Sequence, residues 1–94
     1  MTKYNDKVKA FYINIDKDSD EYGWIYLGLG VDGDNAIVFE ELTGDCMDSN
    51  YMNYNGYEMP LADLKEISEA TYVGLLDLIL DGEMFDIDEV LAKN

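Results

Sequence analysis

The side chains able to do chemistry in this sequence are almost all carboxylates. Twenty-one Asp and Glu stand against 6 Lys, with no Arg and no His, in 94 residues of formal net charge −15. Their spacing in the second half is orderly. Asp63, Glu66 and Glu69 recur every third residue, Asp77 and Asp81 lie four apart, and Glu83, Asp86 and Glu89 continue the series. On a helix, residues three or four apart share one side, with about 5–6 Å between Cβ atoms. Rows of negative charge at that spacing imitate the phosphates of a nucleic-acid strand, and they repel one another in the free domain. The chemistry they predict is recognition of a cationic surface.

Catalysis has little to work with. Without His there is no Ser–His or Cys–His pair and no imidazole base. The single cysteine, Cys46, sits in Asp45-Cys46-Met47-Asp48, where two carboxylates oppose a thiolate. Without Arg there is no bidentate clamp for a phosphate or carboxylate substrate. No GxGxxG, Walker A loop, CxxC or HExxH occurs. Carboxylates at this density pair by chance, so an enzyme is not expected, and no cofactor is implied. Asp16, Asp18 and Asp20 match the first three ligand positions of an EF-hand loop, but Glu21 and Leu27 stand where Gly and a bidentate Glu are needed. A solvated turn is expected there, without a metal.

The same charge excludes other partners. Nucleic-acid binding draws most of its affinity from cations on phosphates, and a chain at −15 is repelled by them and by anionic membranes. No apolar run reaches the roughly 18 residues of a membrane span, and no apolar segment follows the charged N-terminus as a signal peptide requires. One cysteine forms no internal disulfide. A reducing bacterial cytoplasm is the expected compartment.

These residues need elements to position them, and the pattern changes halfway along the chain. Phe11, Ile13 and Ile15 alternate with Tyr12 and Asn14; Ile25, Leu27, Leu29 and Val31 alternate after Trp24. Pairing Ile15 with Ile25 and Phe11 with Leu29 keeps the aliphatics on one face. Asp32-Gly33-Asp34-Asn35 is a turn signal, and Ala36–Leu42 supplies a third strand. In its register, one of Glu40 and Glu41 points to the apolar side or lies beyond the strand. Tyr51–Tyr54 and Tyr57–Met59 read as a short hairpin about Asn55-Gly56. Pro60 then opens a helical stretch, with Leu61, Leu64 and Ile67 spaced by three. The periodicity leaves open whether 61–81 is one helix or two, with a break near Ser68–Thr71. Val73 to Leu80 is the most apolar run, Gly82 a stop, and Asp86 a cap for a last short helix docked by Ile87, Val90 and Leu91. The expected fold is one α+β domain over 1–94. It is an antiparallel meander of three to five strands with C-terminal helices against one face.

Tyr12, Trp24, Tyr26, Gly28 and Gly30 fall on the other sheet face. An aromatic face of this kind is either covered, with side chains filling over the glycines, or a contact surface. The tyrosines of the polar middle segment, Tyr54 and Tyr57, are candidate anchors beside the acids.

A net charge of about 2–8 in magnitude serves solubility in a small domain, and −15 exceeds it. In size and charge the chain resembles small phage-encoded nucleic-acid mimics, which include anti-CRISPR and anti-restriction proteins. That resemblance implies a stoichiometric inhibitor occupying the basic nucleic-acid site of a nuclease or CRISPR effector. Two other functions fit the residues. One is an immunity protein or antitoxin neutralising a basic toxin. The other is a salt-independent interaction module, including a homodimer, using Tyr12, Trp24 and Tyr26.

Overall fold

The computed structural model describes residues 8–40 and 56–94. Strand β1 (Ala10–Asn14) pairs with β2 (Ile25–Asp32), and β2 with β3 (Asn35–Phe39) through a two-residue turn in which Asp32 faces Asn35. Gly33 takes φ +63°, the left-handed conformation such a turn demands and a side chain resists. Strand β4 (Tyr57–Pro60) adds to β3, and β5 (Leu64–Ile67) adds to β1 on the far side. The sheet is antiparallel throughout, in the order β4-β3-β2-β1-β5. Helices α1 (Glu69–Leu80) and α2 (Ile87–Lys93) complete an α+β fold.

The register of the first hairpin differs from the expected one by two residues: Ile13 faces Ile25 and Phe11 faces Leu27. The cause is local. The Asn14 side-chain oxygen accepts from Asp16 N (2.8 Å) and ends the ladder there, while Gly23 N donates back to Asn14 O (2.9 Å). Ile15 is thereby spent on the loop. A slip of two keeps every side chain on its expected face. Strand β3 stops at Phe39, so Glu40 lies beyond it. Tyr57 to Pro60 pair with β3, Val38 facing Tyr57; the other arm of the expected hairpin, Tyr51–Tyr54, lies outside the described residues.

Residues 61–67 are not helical as the spacing predicts. Leu61–Asp63 form one 3-10 turn and Leu64–Ile67 a strand. Spacing of three mimics a helix here because β5 is buried on both faces: Leu64 packs with one apolar cluster and Ile67 with another. The choice that the periodicity leaves open is settled by the strand: one α-helix follows, and it begins only after Ser68. Ser68 caps α1, its hydroxyl accepting from Thr71 N (3.1 Å) while its own N donates to Asn94 Oδ1 (2.8 Å).

The connection from β4 to β5 dictates the sheet's shape. Four strand spacings would hold these edges about 19 Å apart in a flat sheet, yet the steps from Pro60 to Leu64 reach at most about 14 Å. The sheet therefore curls, and the 3-10 turn closes it. Leu61 N donates to Asp34 O and Ile15 N to Asp63 O, both at 2.9 Å. Inside the curl, Tyr12, Tyr26, Ala36, Val38 and Leu64 are buried with Met59 and Leu61 packed on them, so both edge strands contribute to one cluster. A Cβ placed on Gly28 would lie 2.5 Å from Tyr12 Cε2, so the glycine makes room for the ring. The aromatic face is thus covered: Tyr12 and Tyr26 are core, and only Trp24, 41% exposed, remains outside. On the outer face Ile13, Ile25, Leu27, Phe39 and Ile67 pack against Tyr72, Leu75 and Leu76 of α1. Ile87, Val90 and Leu91 dock α2 there, as their spacing predicts.

Candidate functional site

The expected acidic residues fall into two groups at opposite ends of α1, about 18 Å apart along the helix axis. Asp63 lies in the 3-10 turn, Glu66 on the edge strand facing Tyr12, and Glu69 in the first turn of α1. They form no single helical row, because only Glu69 is in a helix. Asp77 and Asp81 do share a side of α1, with Asp81 as its C-cap, and Glu83, Asp86 and Glu89 follow around the corner into α2; all five are exposed. Two of these have internal duties. Asp86 caps α2 by accepting from Asp88 N (3.0 Å) and Glu89 N (3.4 Å), and Glu89 pairs with Lys93 (3.0 Å). Asp77, Asp81 and Glu83 face no cation of their own helix end, since the last turn of α1 has no basic residue. Tyr57 lies on β4 and Tyr54 outside the described residues.

Sequence reasoning misses the cleft beside this corner. One wall is the end of the β1–β2 loop: Tyr22, Gly23, Trp24 and then Ile25. The other is Ile79 of α1 with Met84, Phe85 and Ile87. Both walls follow from local chemistry. The loop is folded by Ser19 N donating to Asp16 O and Tyr22 N to Ser19 O, both at 3.1 Å. Gly23, at φ +87°, presents bare backbone on which Ile87 packs; a Cβ there would lie 2.9 Å from Ile87 Cδ1. The corner is turned by Gly82 at φ +73°, with Gly82 N donating to Ile79 O (3.0 Å) and Glu83 N to Leu78 O (2.9 Å). The resulting cavity is about 580 Å³. Met84, 96% exposed, and Trp24 stand at its mouth. Large apolar side chains exposed together are the informative kind of exposure. The signal in the sequence was Trp24 and the pair Met84-Phe85, but residues 22–25 and 79–87 are too far apart for any spacing rule to join them.

The segments that supply both walls are rich in acids. Asp16, Asp18, Asp20 and Glu21 belong to the loop that makes one wall; Asp77, Asp81, Glu83, Asp86 and Asp88 belong to the corner that makes the other. Glu40 lines the cleft itself and accepts from the Tyr57 hydroxyl (2.7 Å). Nearby, the Tyr26 hydroxyl donates to Glu21 Oε1 (3.0 Å). Burial, followed for Tyr57 by its bond to Glu40, pushes both phenols well above their ordinary range; Asn14 opposes this at Tyr26, and Glu21 reinforces it. Burial and the Glu66 charge likewise raise Tyr12. Among the described residues no cluster of three or more Asp, Glu, Cys or His is arranged to hold a metal ion. At the EF-hand-like stretch, Asp16 Oδ1 instead accepts from Asp18 N (3.0 Å) and Ser19 Oγ from Glu21 N (3.0 Å). No helix among the described residues is long and apolar enough to cross a membrane.

The raised phenols predict alkaline sensitivity. A buried tyrosine that keeps its proton where the unfolded chain loses it, above about pH 10, stabilises the fold fully below that pH. The contribution drains away as pH climbs toward the folded-state value, at about 1.4 kcal/mol per pH unit for fully buried Tyr26. Urea midpoints should therefore fall between about pH 9.5 and pH 11. Tyr26→Phe should flatten that fall; an unchanged slope in the variant would remove Tyr26 as its origin.

Comparison with protein-family models, with curated proteins and with solved structures gives no match.

Proposed function

We propose that this protein is a stoichiometric inhibitor that presents carboxylates to a basic, nucleic-acid-binding protein of the bacterial cell, such as a nuclease or CRISPR effector, and occupies the site meant for nucleic acid. The observation that carries this reading is the exposed corner from Asp77 to Glu89, where six acids gather around the junction of α1 and α2 and, among the described residues, only Glu89 is paired with a lysine. Asp77 and Asp81 lie at the negative end of the α1 dipole, where carboxylates oppose helix stability. Acids kept in an unfavourable place suit a task outside the fold. Long-range attraction from such a surface raises the on-rate with a basic partner, by as much as roughly 10³ at low salt.

The test is mutual exclusion. Partners captured from a bacterial lysate on the immobilised chain are eluted by salt, and the recovered protein is assayed for binding to labelled DNA or RNA. Inhibition predicts that the chain displaces the nucleic acid and that this competition weakens from about 50 mM to about 500 mM salt, as the screening length contracts. A ternary complex of chain, partner and nucleic acid, or binding indifferent to salt, would overturn the reading.

A further inference from the structure

We infer that the cleft between the β1–β2 loop and the α1–α2 corner takes the apolar side of a cationic amphipathic segment of the partner, with Lys or Arg flanking the inserted side chains. The inference rests on the reading of this chain as the binder of a basic protein, and it adds where and how that partner is gripped.

Charge complementarity identifies the occupant. The floor and walls are apolar, supplied by Ile25, Ile79, Phe85 and Ile87, and Trp24 and Met84 stand exposed at the mouth. A neutral apolar ligand would satisfy those walls but leave unused the exposed acids of the segments that form them, Asp18 and Asp20 in the loop and Asp81 and Glu83 at the corner. A purely cationic strand would satisfy the acids and leave the apolar mouth wet. A segment with apolar residues along one side and lysines or arginines beside them matches both. Methionine and tryptophan suit the role: one adapts its shape, and the other offers a large rigid face to apolar groups and to cations alike. Glu40, within the cleft, supplies a carboxylate for a cation entering with the apolar side chains. Recognition then has two parts. The acids steer and orient, and the buried side chains hold, which is the usual division between charged rim and apolar centre.

The probe is a synthetic, labelled Leu/Lys peptide of about 18 residues with leucines at helical spacing, set beside an oligolysine of equal charge. Trp24 is the single tryptophan, so its emission reports on the cleft mouth alone. The expected result is a blue shift of Trp24 with the Leu/Lys peptide and none with oligolysine, and an affinity at least about tenfold tighter for the former. By anisotropy of the labelled peptide, Met84→Ser, and more so Met84→Ser with Trp24→Ala, should remove that margin while leaving oligolysine binding unchanged. Met84 is almost fully exposed, so its substitution leaves the fold intact. Equal affinity for the two peptides, or a margin that survives both substitutions, would overturn the cleft proposal and leave the cationic partner standing. If neither peptide binds even at low salt, the reading of a basic partner falls and the cleft proposal with it. A Trp24 shift that follows protein concentration, with a doubled size on gel filtration, would assign the cleft to a second copy of this chain and overturn the proposal.

Discussion

Tyr26→Ala is expected to remove about 3–5 kcal/mol of stability, while Tyr26→Phe costs about 1 kcal/mol. The ring of Tyr26 is wholly buried inside the curled sheet, among Tyr12, Ala36, Val38 and Leu64, on the face away from α1 and α2. Removing an aromatic ring from such a site costs about 3–5 kcal/mol in lost burial and unfilled cavity. A domain of this length has a total stability of about 5–14 kcal/mol, so the variant forfeits a large share of it and its urea midpoint falls steeply. Phenylalanine keeps the ring and loses the hydroxyl's hydrogen bonds, to Glu21 Oε1 and with the Asn14 side chain. Urea denaturation of both variants checks the pair. Tyr72, equally buried on the outer face and 5.0 Å from the Phe11 ring, is the natural comparison. The two clusters lie on opposite sides of the sheet, so Tyr26→Phe and Tyr72→Phe should act additively to within about 0.5 kcal/mol. A small effect of Tyr26→Ala would mean that the curl collapses to refill the space, and that the inner cluster is not a rigid core.

Much of this architecture is legible in the chain because the alternation of β1 and β2 determines faces even when it misplaces register. Ile13 and Ile25 share a side whichever pairing is chosen, and the observed one differs by two only because the Asn14 side chain ends the strand early. The end of α1 and the start of α2 are legible for a similar reason: Gly82 and Asp86 are punctuation that works locally, whereas the cap at Ser68 is hidden by a periodicity that runs on across it. What sequence cannot supply is the curl. A strand buried on one face alternates; β5, buried on both, places Leu64 and Ile67 three apart and so counterfeits a helix. Once the sheet closes, the aromatic face ceases to be a surface. The alternation groups Trp24 with Tyr12 and Tyr26, and tertiary structure parts them, sending two tyrosines inward and leaving the tryptophan at the cleft. The misread segment also explains the acidic row that does not form: Asp63, Glu66 and Glu69 keep their spacing but lose the helix that would align them.

Neutralising the corner by Asp77→Asn, Asp81→Asn and Glu83→Gln together should strengthen the free protein and weaken its grip on a basic partner by about a hundredfold. The two effects have different origins and opposite signs. In the free chain Asp77 and Asp81 sit at the C-terminal end of α1 with no cation in its last turn. Relieving that conflict is worth about 0.3–1 kcal/mol for each charge, seen as a higher denaturation midpoint that the wild type approaches when salt is added. In the complex, each lost carboxylate removes an attraction of about 1 kcal/mol at the contact, so three removed together give roughly a hundredfold. Most of it should appear in the association rate at low salt. Asp86→Asn is the control: asparagine caps a helix about as well as aspartate, so that variant probes one charge with α2 intact. Glu89→Gln is a poorer choice, because Glu89 already spends its charge on Lys93. Should the triple variant gain stability and bind the recovered partner as tightly as before, the corner serves solubility alone and the contact lies elsewhere. A gain in stability bought with a loss of binding is the signature of acids retained for their partner and against the interest of the fold.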